Sequence, residues 1–152
     1  MMGDKKKTGR YQRIYTQLQG LLTATRNREA RMATIAAVLH HKINYFFWTG
    51  FYCLDQGELI VRCYQGPVAC QVLHKNTGVC WKSIIDGQII VVADVHQFPG
   101  HIACDSRSRS EIVVPLRDEG GHIYGVLDVD STDLASFDDT DAQWLKKIVT
   151  LI

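Results

Sequence analysis

Within the eleven residues from His101 to Glu111 the chain places one thiol (Cys104), one imidazole (His101), two guanidinium groups (Arg107, Arg109) and two carboxylates (Asp105, Glu111). Cationic neighbours lower a thiol's pKa and raise its thiolate fraction, which makes Cys104 the first candidate nucleophile. The competing reading is a buried, inert cysteine beside a solvated charge cluster, and the block alone does not choose between them. Asp128 and Asp130 stand two apart in an apolar run, so on a strand they project from one face while Leu127 and Val129 enter the other. Like charges that close repel unless a cation sits between them. Alternatively, Asp130 opens a solvated turn with Ser131, Thr132 and Asp133. Trp48 and Tyr52 share a face across Gly50, either as ordinary core or as an aromatic pair that holds a small apolar or cationic group.

The other cysteines differ in context. Cys80 falls at the start of a short helix, where the N-terminal dipole is expected to lower its pKa. Cys70 follows Gly66-Pro67-Val68-Ala69. Cys53 and Cys63 lie inside strands and read as small core hydrophobes. A zinc site from Cys70, Cys80, His101 and Cys104 would lack a paired Cys-x-x-Cys knuckle, so no metal and no cofactor are expected. For a Cys–His hydrolase, neither His96 nor His101 is singled out by position.

These residues need elements to hold them. Tyr11, Ile14, Tyr15, Leu18, Leu21 and Leu22 recur at helical spacing and predict a helix over 9–24. Asn27 can cap a second helix with Met32, Ile35, Ala36, Leu39 and Ile43 inward. From Asn44 the period changes to two. Tyr45–Leu54 and Glu58–Tyr64 read as a hairpin. A short helix over Val79–Asp86, stopped by Gly87, precedes a strand at Ile89–Ala93. Residues 94–110 form a connection long enough to suggest function. A second hairpin joins Ile112–Arg117 to Ile123–Val129. Ser136 or Asp138 then caps a last helix that turns Trp144, Leu145, Ile148, Val149 and Ile152 inward. Helices at both ends of several antiparallel strands indicate an α+β domain.

Composition agrees with one folded domain. The chain has 152 residues, 22% charged, and a formal net charge of +1, which predicts neither a nucleic-acid platform nor disorder. Lys5-Lys6-Lys7 with Arg10 is the only basic block, read as part of a flexible, solvated tail over residues 1–9 ahead of a domain at 10–152. No apolar run approaches membrane-spanning length and no secretory segment opens the chain. Five cysteines without a leader favour a reducing cytoplasm.

Taken together, Trp48-Thr49-Gly50-Phe51-Tyr52, Ala69-Cys70, Gly78-Val79-Cys80, the block from Pro99 to Asp105, Ser110-Glu111 and Gly125-Val126-Leu127-Asp128-Val129-Asp130 resemble the free methionine-(R)-sulfoxide reductases. These are enzymes on a single GAF domain, and the resemblance implies a central antiparallel sheet of about six strands with helices packed on it. It departs at Trp81, where the family usually has glycine, at Pro67-Val68, and in a longer turn over Glu119–Gly121. The resemblance also implies that Cys104 attacks the sulfoxide sulfur and becomes a sulfenic acid. Cys70 would resolve it as an intramolecular disulfide, Cys80 being the second candidate, and a thioredoxin-like dithiol would recycle it. Glu111, Asp128 and Asp130 would supply protons and meet the substrate ammonium. Backbone around Ile102, Ala103 and Cys104 would meet its carboxylate, and Trp48 with Tyr52 would box its methyl end. A homodimer is a further implication. The alternatives are a non-catalytic GAF sensor of a small ligand and a redox-sensing disulfide switch.

Overall fold

The computed structural model describes residues 3–101 and 103–152. Its elements run α1 (Asp4–Leu21), α2 (Arg28–Lys42), β1 (Trp48–Asp55), β2 (Glu58–Gln65), β3 (Val72–Leu73), α3 (Gly78–Asp86), β4 (Ile90–Val92), β5 (Ser110–Arg117), β6 (Ile123–Ser131) and α4 (Asp139–Val149). The six strands form one antiparallel sheet in the order β3-β2-β1-β6-β5-β4. Both expected hairpins are present, and β1 pairs with β6 to join them at the centre.

Strand periodicity then divides the molecule. Phe51, Cys53, Ile112, Val114, Leu116, Leu127 and Val129 face one side, where α1, α2 and α4 cover them with Tyr11, Ile14, Leu18, Met32, Ile35, Leu39, Leu145 and Ile148. Trp48, Tyr52, Val113 and Val126 face the other side, against Val79, Cys80 and Trp81 of α3. The second side is covered by one short helix and irregular chain, and that leaves room for a cavity.

Helix capping follows the residue chemistry. The Asn27 side chain accepts from the Ala30 amide, and Asp138 with Asp141 forms a reciprocal capping box at α4. Asp138 rather than Ser136 is thus the cap. Gly87 closes α3 in the left-handed region at φ 65°.

Several boundaries differ from the periodicity. Helix α1 begins at Asp4, inside the segment expected to be a solvated tail. Its third lysine, Lys7, is 1% exposed, with Nζ 2.7 Å from Asp141 and 3.0 Å from Asp138 at the start of α4. Tyr11 and Tyr45 also donate their hydroxyls to Asp141. A lysine that finds two carboxylates and a carbonyl can be buried, and its partners lie about 130 residues away, beyond any local pattern. Strand β1 begins at Trp48 instead of Tyr45, because Tyr45 serves that polar network and Phe46 packs into the helical core. Strand β4 is trimmed to Ile90–Val92. Strand β3 has only two residues, too few to carry a period.

Candidate active site

A cavity of about 190 Å³ opens on the α3 side of the sheet. Its floor is set by three strands in register. Trp48 lies opposite Asp130, Gly50 opposite Asp128, and Glu111 opposite Asp130, so the carboxylates and the aromatic residues come to one face. The Trp48 ring stacks between Tyr52 (5.7 Å, 25°) and Tyr64 (5.3 Å, 22°). It lies down over Gly50, where a Cβ would stand 2.6 Å from its Cη2 atom. The space above Gly50 is therefore filled by the indole itself. Tyr64, the third ring, was not a sequence candidate. Its place opposite Gly50 follows from a bulge between Gly50 and Tyr52 that shifts the β2 register.

The same aromatic residues hold the thiol-bearing chain. Gly66 turns it out of β2 at φ 117°, a conformation that glycine tolerates, and a side chain there would also meet the Phe47 carbonyl at 2.7 Å. Trp48 Nε1 then donates to the Pro67 carbonyl at 3.1 Å, and the Tyr52 hydroxyl donates to the Cys70 carbonyl at 3.1 Å. Cys70 is thereby delivered to the cavity wall, where it is disulfide-bonded to Cys104 across a Cα separation of 5.5 Å. Ala103, His101 and Asp105 line the same wall. Ile102 lies outside the described residues. The Arg107 guanidinium, part of the cationic setting expected for Cys104, is committed elsewhere. It donates twice to Asp105, at 2.9 and 2.7 Å, holding that carboxyl down to about 2, and it covers the Phe47 ring.

Glu111 and Asp128 are buried, Asp130 is half-buried, and Asp130 belongs to β6 rather than to a solvated turn. Burial first, and then the neighbouring carboxylates, push the Glu111 and Asp130 pKa well above the usual acid range; burial likewise raises Asp128. Among the described residues the cavity lining contains no lysine or arginine. His101 is held below its ordinary value by burial and by His96. The site is therefore an acid cluster that keeps protons and attracts cations.

Cys80 is corrected here. It does sit in the first turn of α3, yet its thiol is buried against Asp128, Glu111 and Asp130, and burial followed by those charges pushes its pKa well up. A helix N-terminus offers about 0.3–1 kcal/mol. Burial can move a pKa by up to about 3–5 units, at about 1.4 kcal/mol each, so burial wins. Cys53, Cys63 and Cys80 are the free thiols of the chain. Cys53 is buried in the helical core as expected, whereas Cys63 is half-buried and turns toward Glu29.

A thiol pair therefore faces a small, proton-rich, aromatic-walled cavity, an arrangement suited to two-electron redox chemistry on a small cationic molecule. Residues 26–152 match the GAF domain family. The chain is 45% identical over 147 residues to GAF domain-containing protein A of Dictyostelium discoideum, covering 96% of this chain and 92% of that one. It is 37% identical over 143 residues to the free methionine-R-sulfoxide reductase of Escherichia coli (strain K12), covering 94% and 86% of the two chains. The structure superposes on that of the free methionine-R-sulfoxide reductase of Neisseria meningitidis in complex with its substrate, with a TM-score of 0.91 and 40% identity, over 99% and 89% of the chains. The chain belongs to the free methionine-R-sulfoxide reductase family of GAF domains.

Proposed function

We propose that this chain reduces free L-methionine (R)-S-oxide to methionine, with Cys104 as nucleophile and Cys70 as resolving thiol. The observation that supports this most directly is the Cys70–Cys104 pair on the wall of a cavity that also holds Glu111, Asp128 and Asp130. In the reduced chain the Cys104 thiolate attacks the sulfoxide sulfur while an acid of the cluster protonates the oxygen. The protonated oxygen then passes from the substrate sulfur to the Cys104 sulfur, which breaks the sulfoxide S–O bond, releases methionine and leaves Cys104 as a sulfenic acid. The Cys70 thiol then displaces that oxygen as water and forms the disulfide. In sum, one sulfoxide and two thiols give one thioether, one disulfide and one water. A dithiol protein of the thioredoxin class restores the thiols by exchange.

The cavity also accounts for selectivity. Ammonium is the only cation on the substrate, and the carboxylate cluster lacks one. Trp48 and Tyr52 take the methyl, so the oxygen of the R epimer can point toward an acid. The S epimer would turn that oxygen onto aromatic rings, losing a partner worth about 1–3 kcal/mol. Ala103 and Cys104 amides, with Ile102 outside the described residues, are the candidates for holding the substrate carboxylate.

The test compares reductant consumption on free R-sulfoxide, free S-sulfoxide and N-acetylated R-sulfoxide at equal concentration. Turnover confined to the free R epimer is expected. Comparable rates on all three would remove the carboxylates and the aromatic pair from these roles. Absence of turnover on every sulfoxide, with the disulfide still reducible, would leave the redox-switch reading instead.

A further inference from the structure

Cys80 has no part in the disulfide, yet it lies at the most acidic point of the cavity. Its Sγ and one oxygen each of Glu111 and Asp128 all fall within 4.8 Å of one another. All three side chains are more than nine-tenths buried. Glu111 Oε1 and Asp128 Oδ1 are inaccessible to solvent and have no hydrogen-bond partner among the described residues. Buried carboxylate oxygens without a partner are costly, and a cation is the partner that would satisfy both at once.

We propose that Cys80, Glu111 and Asp128 form a site for a thiolate-seeking divalent cation of the zinc class, and that a cation there excludes the sulfoxide substrate. The donor chemistry selects the class. One thiolate and two carboxylates suit a borderline-soft ion, whereas magnesium and calcium ask for oxygen alone. The size fits as well. Zinc–ligand bonds of about 2.0–2.3 Å in a tetrahedron put donors roughly 3.3–3.8 Å apart, so atoms within 4.8 Å of one another need to close by at most about 1.5 Å. Their side chains sit on α3, β5 and β6, which pack against each other and hold the donors on three sides. The fourth position opens into the cavity. A dication bound there displaces the protons the cluster holds, and it then offsets two carboxylates and a thiolate better than the single ammonium of an amino acid does. Exclusion of substrate rests on the reductase reading above; cation binding does not.

The experiment uses the disulfide-bonded form, in which Cys53, Cys63 and Cys80 are the only thiols. Titration with Cd2+ in chelator-free buffer should raise a thiolate-to-cadmium absorption band that saturates at about one equivalent. Cys80→Ser should abolish the band and Cys63→Ser should leave it. Glu111→Gln should weaken Cd2+ binding by at least about tenfold. No band, or a band that survives in Cys80→Ser, overturns the site. Were Cys80→Ser not to fold, the Cys63→Ser and Glu111→Gln arms would decide the matter. Free methionine (R)-sulfoxide, which the oxidised form cannot turn over, should displace the Cd2+. The S epimer chelates free cadmium equally well and should not. Equal effects of the two epimers overturn the exclusion. A cadmium band in a protein whose reduced form consumes no sulfoxide would instead sink the reductase reading and leave the cation site standing.

Discussion

Glu111 costs the fold stability for the sake of the cavity. Its carboxyl is raised above the ordinary value by burial and by Asp128 and Asp130, so the native chain holds a proton that the unfolded chain has released. Stability is therefore full below the ordinary carboxylate pKa and falls as pH rises toward the raised native value. Glu111→Gln removes that loss. In EDTA-containing buffer its melting midpoint should exceed the parent's by about 2–4 °C or more near pH 8, corresponding to about 1 kcal/mol or more. The gap should close near pH 4, and a gap independent of pH would refute the account. The same change removes a charge-assisted bond worth roughly 1.5–3 kcal/mol, so catalytic efficiency should drop about ten- to a hundredfold. The two thiols separate by stoichiometry. Cys104→Ser should abolish methionine formation, since a hydroxyl is a far poorer nucleophile than a thiolate at neutral pH. Cys70→Ser should release about one equivalent and stall as a sulfenic acid that a dimedone-type probe traps. Sustained turnover in Cys70→Ser would transfer the resolving role to Cys80. Cys104 became a candidate through its neighbours in sequence, although one of them, Arg107, is paired with Asp105 instead. The raised pKa of Cys80 was not legible, because the carboxylates that raise it come from β5 and β6.

At the scale of elements, the segment from Gly66 to Cys70 has no regular structure and depends on the aromatic stack for its place. Tyr52→Phe keeps the ring and removes the bond to the Cys70 carbonyl. That bond is worth about 0.5–1.5 kcal/mol net, so disulfide formation should slow by about two- to tenfold while the first methionine is released at the parent rate. Rapid-quench measurement of methionine and of free thiol separates the two steps. Equal slowing of both would mean that Tyr52 acts on the substrate instead. Hairpins and α2 were readable from periods of two and 3.6, because each element is longer than two of its own repeats, whereas the pairing of β1 with β6 that sets acids beside aromatics was not, since a period fixes a face and not a partner strand. The two-residue β3 and the bulge that brings in Tyr64 have no such repeat.

Across the whole molecule, Lys7 ties the first helix to the last on the side of the sheet away from the cavity. Lys7→Met should destabilise by about 3–5 kcal/mol, toward the lower figure because Tyr11 and Tyr45 still donate to Asp141. Urea unfolding measures this, and the folded fraction should retain parental turnover. A loss below about 0.5 kcal/mol would place the network among exposed pairs. No local pattern announces such a lysine, since partners more than 100 positions away decide whether it is solvated or enclosed.

The link between Cys70 and Cys104 spans 34 positions and encircles β3, α3 and β4. On the chain-entropy account a ring of that length favours the folded state by about 3–4 kcal/mol over the same chain with open thiols. A population deprived of electrons therefore accumulates as its sturdier form. In the proposed cycle a shortage of reductant would leave the protein in the form that melts at the higher temperature, and renewed supply would return it to turnover.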